Sequence, residues 1–246
     1  MININYAAKN VNIIIVGSES SIGSALKGML LDAGATVYGI DIKKGSEVEI
    51  IDNYHYYESD PLEPSKLSEI SLKLASISIN GLVCLSGTIK HFGSVLDLDE
   101  SQWQEVYNIS FRSCYNACKA FAPILQKCDK ASIVNMSSGL AFGGQANYGP
   151  YTNAKASINS LSKTLATELA PSIRVNTVAP GAVDTGFIYD NEGKMRFDKA
   201  RYLQIVPLKS LATSEEISHL ILFLLSSAAS HITGQCIHIN GGAMMV

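Results

Sequence analysis

Charged side chains are scarce in this 246-residue chain, at 17 % of it, and neither sign dominates: 19 Lys and Arg against 22 Asp and Glu leave a net charge of −3. No block of like charge occurs. The electrostatic footprint needed for nucleic acid or an anionic membrane is therefore missing, and a small ligand is expected. Long apolar runs are lacking as well: Ile13-Ile14-Ile15-Val16 and Leu220-Ile221-Leu222-Phe223-Leu224-Leu225 fall far short of the ~18 residues of a membrane span. Residues 1–12 show no secretory apolar segment or small-residue cleavage site, so a cytoplasmic protein is the expectation. Without a secretory signal, the sequons Asn108-Ile109-Ser110 and Asn135-Met136-Ser137 read as chance matches. Cysteine is sparse and odd in number, Cys84, Cys114, Cys118, Cys128 and Cys236. Only Cys114 and Cys118 lie close together, with no second Cys or His pair beside them. That spacing supports neither a disulfide framework nor a zinc site, and no metal is expected.

Apolar side chains, by contrast, make up 47 % of the residues, enough for a large core and incompatible with a disordered polar chain. At about 150 residues per domain the length falls between one domain and two, yet single α/β domains of this size are common. No repeat or linker divides it, so one domain over residues 1–246 is expected. Short β-branched runs at Val11–Val16, Thr36–Ile40, Gly81–Leu85, Ala131–Asn135, Arg174–Val178 and Gln235–Ile239 predict buried strands. Between them lie segments of helical period, such as Ile22, Leu26, Met29, Leu30 and Ala33, or Tyr151, Ala154, Ile158, Leu161, Leu165 and Leu169. Parallel strands need crossovers long enough to hold a helix. The alternation thus predicts an α/β fold: a doubly wound, Rossmann-like parallel sheet in three αβα layers. Residues 186–208, with Gly186, Asn191, Gly193 and Pro207, break the rhythm. They are expected to form a substrate loop, with room for a short helix, rather than an idle surface excursion.

Gly17-Ser18-Glu19-Ser20-Ser21-Ile22-Gly23 follows the first strand and opens a helix. Such a turn lets the backbone approach a pyrophosphate, which the N–H groups and positive dipole end of the helix attract. With Ser21 in place of a middle glycine, the segment alone is as compatible with a plain strand-to-helix turn. The second strand then ends in Asp41, eighteen residues past Gly23, near the spacing at which a carboxylate accepts hydrogen bonds from an adenosine ribose. Asp41 repels a 2′-phosphate and the turn holds no Lys or Arg, so NAD is favoured over NADP, although Lys43 and Lys44 follow closely. Asp60 sits where it can receive the adenine amino group, or serve as a turn residue before Pro61.

Tyr151 and Lys155 stand four apart on one predicted helix, separated by about 40° in azimuth and ~6 Å along the axis. A phenol near pKa 10 is a poor acid or base at neutral pH, and an adjacent ammonium favours the phenolate. The spacing alone reads more readily as an interfacial Tyr and a solvated Lys. From Val11 to Gly242, however, motifs recur in one order: Gly17-x5-Gly23, Asp41, Asp60, Trp103 before Asn108, Ile133-Val134-Asn135-Met136-Ser137-Ser138, Tyr151-x3-Lys155, Arg174-Val175-Asn176-x3-Pro180-Gly181-x3-Thr185 and Thr233-Gly234-x5-Asn240-Gly241-Gly242. In this the chain resembles the short-chain dehydrogenase/reductase family, close to its compact classical type.

The resemblance implies that Tyr151 gives or takes the proton on the substrate oxygen, that Ser138 hydrogen-bonds the same oxygen, and that Lys155 binds the nicotinamide ribose and lowers the Tyr151 pKa. Asn108 would hold a water leading from Lys155 to solvent. The implied cofactor contacts are Gly17, Ser20, Ser21, Ile22, Gly23, Asp41, Asp60, Ser86, Gly87, Tyr151, Lys155, Pro180, Gly181, Val183 and Thr185, with Thr185 on the carboxamide. Two departures stand out. The family's Asn-Asn-Ala-Gly is here Cys84-Leu85-Ser86-Gly87, and the Cβ of Ser21 would crowd the phosphates unless its dihedrals suit an L-residue.

Loops beyond the strand ends offer Thr88, His91, Phe92, Leu140, Phe142, Gln145, Tyr148, Phe187, Ile188 and Tyr189, a mixture suited to a moderately sized alcohol or ketone. His91 reads more readily as a surface or packing residue than as a second acid/base group. The helix with Phe111, Cys114, Tyr115, Cys118 and Phe121, together with the Tyr151 helix, matches the family's subunit contacts, so a homotetramer or homodimer is expected. The functional expectation is hydride transfer between NAD(H) and a secondary alcohol or its ketone. The alternatives are a catalytically idle dinucleotide-binding sensor or scaffold, and an NADP-dependent 3-oxoacyl reductase.

Overall fold

The computed structural model describes residues 8–45, 48–49, 51–90, 93–190 and 192–245. Seven parallel strands form one sheet in the order β3-β2-β1-β4-β5-β6-β7. They are β1 (Asn12–Val16), β2 (Thr36–Asp41), β3 (Tyr54–Glu58), β4 (Gly81–Cys84), β5 (Ala131–Met136), β6 (Ile173–Pro180) and β7 (Cys236–Ile239). The apolar runs predict six of these to within a residue or two. They miss β3, whose Tyr-His-Tyr-Tyr-Glu is a half-exposed edge strand with no apolar run to detect.

Successive side chains of a strand point to opposite faces, and β1 shows the result. Ile14 and Val16 join Ile40, Leu82, Ile133 and Val175 in one core. That core is covered by α2 (Pro64–Lys73), α4 (Ser113–Leu125) and α5 (Gly149–Glu168). Ile13 and Ile15 join Val37, Val83, Val134 and Val178 in the other, under α1 (Ser21–Asp32) and α7 (Ser214–Leu225). With both faces covered, the strands need no polar alternation. Along the sheet the chain winds one way from β1 to β3 and the other way from β4 to β7. The reversal, between β1 and β4, is where ligands bind in open parallel sheets.

Part of the family pattern is structural. Arg174 donates to the carbonyls of Leu224, Ser226 and Ile232, and Asn176 donates to Ile232 and accepts from the Gln235 amide. These bonds tie β6 to the segment entering β7. The remaining helices are α3 (Glu100–Tyr107), whose capping box is made by Asp99 and Gln102, and α6 (Lys199–Ile205). Residues 186–208 are not structureless: a 3-10 turn at Gly186–Ile188, a bridge between Tyr189 and Met195 and α6 occupy them. Asn191 of this segment lies outside the described residues.

Candidate active site

Backbone geometry accounts for both glycines of the turn after β1. Gly17 has φ +88°, where an L-residue is strained, and a Cβ on it would also press Ser86 N at 3.1 Å. A Cβ on Gly23 would meet the Gly17 carbonyl oxygen at 2.3 Å. Ser21 has no such constraint, being an exposed first residue of α1, so the crowding expected of it does not arise from its backbone. Ser20 caps the helix: the Gly23 amide donates to its Oγ at 3.1 Å, and its hydroxyl donates to Gly17 O at 2.8 Å. Of the amides that a helix start leaves unpaired, those of Ser21 and Ile22 remain for an anion.

Asp41 stands beside this turn, its Oδ2 accepting from the Glu19 amide at 3.0 Å and its Oδ1 from Ile42 N at 2.8 Å. Behind the turn lies a network that the sequence reading missed. The Glu19 carboxylate is bound by Lys27 Nζ at 2.8 Å and receives the Tyr54 hydroxyl at 2.6 Å. Both members of the ion pair are only 9 % exposed, and Lys27 Nζ also lies 4.5 Å from the Tyr54 ring centre. Burial alone would raise the Glu19 pKa, but the bonds from Lys27 and Tyr54 hold it below its ordinary 4.5. Asp60 accepts from the Leu62 amide at 2.8 Å, which is its turn role.

Across the switch point, β4 runs out through Ser86 and Gly87. A Cβ on Gly87 would sit 3.2 Å from Lys155 Nζ, so the segment after β4 runs close beside the Lys155 side chain of α5. On β6 the strand ends at Pro180. Gly181 N donates to Ile239 O at 3.1 Å, and the Ala182 amide donates to the Tyr202 hydroxyl at 3.0 Å, which holds α6 against this loop. Val183 bridges to Ala212, and Thr185 caps the 3-10 turn through the Phe187 amide at 3.4 Å.

Ser138, two residues past β5, is extended (φ −161°) and buried. Burial pushes the Tyr151 pKa up to about 12, with the nearby Ser138 hydroxyl pulling the other way, while Ser138 Oγ accepts from the Leu140 amide at 3.2 Å. Lys155 is 2 % exposed and donates to Met136 O at 2.8 Å. Burial takes its pKa down to about 8, while Cys114 and Cys84 oppose that shift. The Lys155 ammonium is 5.7 Å from the Tyr151 ring centre and engaged with the Met136 carbonyl, and burial is the largest influence on the phenol. Asn108 opens a π-helical stretch, Asn108–Arg112, between α3 and α4. Such bulges frequently mark functional positions. Ser110 on this stretch binds both the amide (3.2 Å) and the carbonyl (3.3 Å) of Thr88.

Of the described residues expected to line the substrate, Phe187 is the one seen beside the Tyr151 ring. The Phe187 ring lies 6.1 Å from the Tyr151 ring, and Phe142 packs at 4.5 Å against His238, a residue the sequence reading did not single out. Ile188 is buried rather than presented. His91 and Phe92 lie outside the described residues. On α4, Cys114, Cys118 and Phe121 face the chain's own core, leaving Tyr115, 39 % exposed, as the outward aromatic of that helix.

Comparison with known proteins agrees with this architecture. The family described as "Enoyl-(Acyl carrier protein) reductase" matches residues 16–244. The chain is 31 % identical over 239 residues to 3-oxoacyl-(acyl-carrier-protein) reductase FabG of Aquifex aeolicus, covering 93 % of this chain and 95 % of that protein. It is 30 % identical over 236 residues to Dehydrogenase/reductase SDR family member 6 of Aquarana catesbeiana, with 94 % and 96 % covered. In fold it is similar to a glucose/ribitol dehydrogenase of the same family from Brucella melitensis, with a TM-score of 0.90, 24 % identity, and 99 % and 100 % of the two chains covered. The match runs from the end of β1 almost to the C-terminus and takes in every motif described above, and the chain belongs to the short-chain dehydrogenase/reductase family of oxidoreductases.

Proposed function

We propose that this chain transfers a hydride between NAD(H) and a secondary alcohol or its ketone, with Tyr151 as general acid/base. The observation that carries the reading is the meeting of Ser138, Tyr151 and Lys155 at the carboxyl edge of the sheet, next to Gly87 and the glycine turn. A dinucleotide fits the residues present. Gly17 and Gly23 keep the turn tight, the amides of Ser21 and Ile22 suit its pyrophosphate, and Asp41 at the end of β2 suits a ribose hydroxyl. In this reading Ser20, Asp60, Ser86, Gly87, Pro180, Gly181, Val183 and Thr185 line the rest of the cofactor path. When bound, the nicotinamide supplies the hydride chemistry.

The protein supplies position and a proton. Ser138 donates a hydrogen bond to the substrate oxygen, fixing it against the Tyr151 hydroxyl. Reduction takes the proton from Tyr151 to that oxygen, and oxidation returns it. A phenol kept protonated by burial is ready as the acid for reduction. Lys155 binds the nicotinamide ribose and supports the phenolate left after transfer, while Asn108 holds a water that restores the proton from solvent. Residues 186–208 cover the substrate, with Phe187 toward Tyr151. NAD over NADP is supported by the Asp41 carboxylate on the turn and by the lack of Lys or Arg from Ser18 to Ile22. The oligomer we expect is a homotetramer built through α4 and α5, with Tyr115 in the contact.

A second reading, an NADP-dependent 3-oxoacyl reductase, is favoured by the names of relatives such as the Aquifex protein. Titration with each dinucleotide, followed by turnover of secondary alcohols and of a 3-oxoacyl thioester, separates the two. Tighter NADP binding together with thioester reduction would replace the first reading with the second.

A further inference from the structure

Three of the five cysteines meet at one point, although sequence spacing brings only two of them together. Cys84 is the last residue of β4, and Cys114 and Cys118 stand four apart on one face of α4. Their Sγ atoms all lie within 4.8 Å of one another, and the residues are 3 %, 2 % and 1 % exposed. The π-helical stretch just before α4 sets this phase. One extra residue in a helical turn rotates the downstream helix by about 100°, and the rotation turns both helix thiols toward the end of β4.

Cysteine often serves as a small buried hydrophobe, but two features distinguish this cluster. Three sulfurs about 2.3 Å from a shared ion, disposed in a plane, lie ~4 Å apart, a separation that falls within the 4.8 Å limit of the cluster. Polar groups that suit a charged cluster are also in place. The Cys118 thiol donates to Asn135 Oδ1 at 3.7 Å, while Asn135 Nδ2 donates to Ser162 Oγ at 2.9 Å. Turning that amide over would give N–H to a Cys118 thiolate and let the Ser162 hydroxyl donate to Oδ1, so no bond is lost. The Lys155 ammonium, within electrostatic reach of Cys84 and Cys114, supplies positive charge nearby. Among the described residues no His or carboxylate joins the group, and the core around it holds Val16, Ala117, Phe121 and Ile133. A closed zinc site needs four ligands. Three soft sulfurs in a dry pocket match a soft ion content with three donors, and thiolates select Cu(I).

We propose that Cys84, Cys114 and Cys118 form a three-sulfur site for one soft, thiophilic ion, with Cu(I) as the matching species. Binding forms three Cu–S bonds and sends the displaced thiol protons to solvent, with no change of oxidation state. The site does not depend on the reaction proposed above.

The test uses the full chain carrying Cys128→Ser and Cys236→Ser, so that only these three thiols remain. It is expressed with copper and purified without oxygen. The expected result is one Cu(I) per chain retained against a chromophoric chelator, with sulfur-to-copper charge-transfer absorption that Cys84→Ser or Cys118→Ser abolishes. X-ray absorption on the copper-loaded parent, which needs no substitution in the cluster, is expected to show three sulfurs at about 2.3 Å. Loss of the copper to the chelator, equal retention by folded Cys84→Ser protein, or fewer than three sulfurs around the metal would each overturn the proposal.

Discussion

Replacing Glu19 by Gln tests whether the buried ion pair behind the glycine turn holds that turn in place. Lys27 and Glu19 are each 9 % exposed and 2.8 Å apart, and the Tyr54 hydroxyl donates to the same carboxylate. Gln keeps the shape and removes the charge, so the Lys27 ammonium stays buried without its counter-ion. Breaking a buried pair from one side costs about 3–5 kcal/mol. The pair lies near the surface, so the lower end, about 3 kcal/mol, is expected. For a chain of this length that is a fall in Tm of about 6–12 °C. Lys27→Met on top of Glu19→Gln removes the stranded charge and is expected to recover more than half of the loss. Because the Glu19 pKa is held below its ordinary 4.5, the pair's contribution is present above that pH and lost as pH falls through the folded value. The gap between wild type and Glu19→Gln should therefore close in acid. Urea denaturation of the three proteins at pH 7 and pH 4, alongside dinucleotide binding, measures all of this. A loss under 1 kcal/mol, or a double variant no more stable than the single one, refutes the reasoning.

Other consequences can be measured directly. Tyr151→Phe should lower kcat at least ~100-fold, the usual scale of general acid/base help, while leaving dinucleotide affinity within a factor of about two; turnover near the wild-type level would remove Tyr151 from its role. Lys155 is held at about 8 against an ordinary 10.5, so the unfolded chain binds the extra proton between those values and wild-type stability should rise by about 3 kcal/mol relative to Lys155→Met from pH 7 to pH 10.5; a flat difference in urea titrations would contradict this. Gly23→Ala should abolish dinucleotide binding, because its Cβ meets Gly17 O at 2.3 Å, whereas Ser21→Gly should leave binding unchanged and cost up to about 1 kcal/mol of stability; equal effects of the two on affinity would refute the assignment of steric need. Light scattering at micromolar concentration should give the mass of a tetramer, and a monomer there would defeat the contact assigned to Tyr115 and α5.

How much of the molecule is legible in its sequence depends on the range of the interactions involved. The β-branched runs and the helical period through Tyr151 and Lys155 are local patterns, and they locate the buried strands and α5. β3 escapes because an edge strand of Tyr and His lacks the apolar signal, and with it goes Tyr54, which joins Ser18, Glu19 and Lys27 across more than 25 residues of sequence. Lys27 reads as one more surface lysine in a helix. Its burial becomes visible only once β3 is laid beside β2. The cysteine cluster escapes for the same reason, since Cys84 and Cys114 are brought together by the end of the central strand β4 and a π-helical turn, neither of which spacing reveals. The balance of pKa values around Tyr151 likewise depends on how completely the fold buries it, which the four-residue spacing does not contain.

The loop after β4 shows why one residue of the family's Asn-Asn-Ala-Gly survives here when the other three do not. The hydrogen bonds of an Asn can be given up or replaced if the fold has another way to fill the space, and Cys84 fills it with sulfur beside Cys114 and Cys118. Leu85 and Ser86 press against Gly17 chiefly through backbone and Cβ atoms: Ser86 N at 3.1 Å, the Leu85 carbonyl carbon at 3.2 Å and Leu85 Cβ at 3.3 Å from a Cβ built there. That contact is indifferent to most side chains at 85 and 86. Gly87 differs, because the atom opposite it is the Lys155 ammonium, 3.2 Å from where a Cβ would stand, with Ser110 Oγ at 3.8 Å behind. A Cβ at 87 would require the Lys155 ammonium, which donates to Met136 O at 2.8 Å, to give way by a few tenths of an ångström. The contact with Gly17 thus constrains the side chains at 85 and 86 little, whereas Gly87 faces the Lys155 ammonium directly. The departure that most invites a reading of this chain as an idle relative therefore leaves in place Gly87, the residue of this segment that faces Lys155.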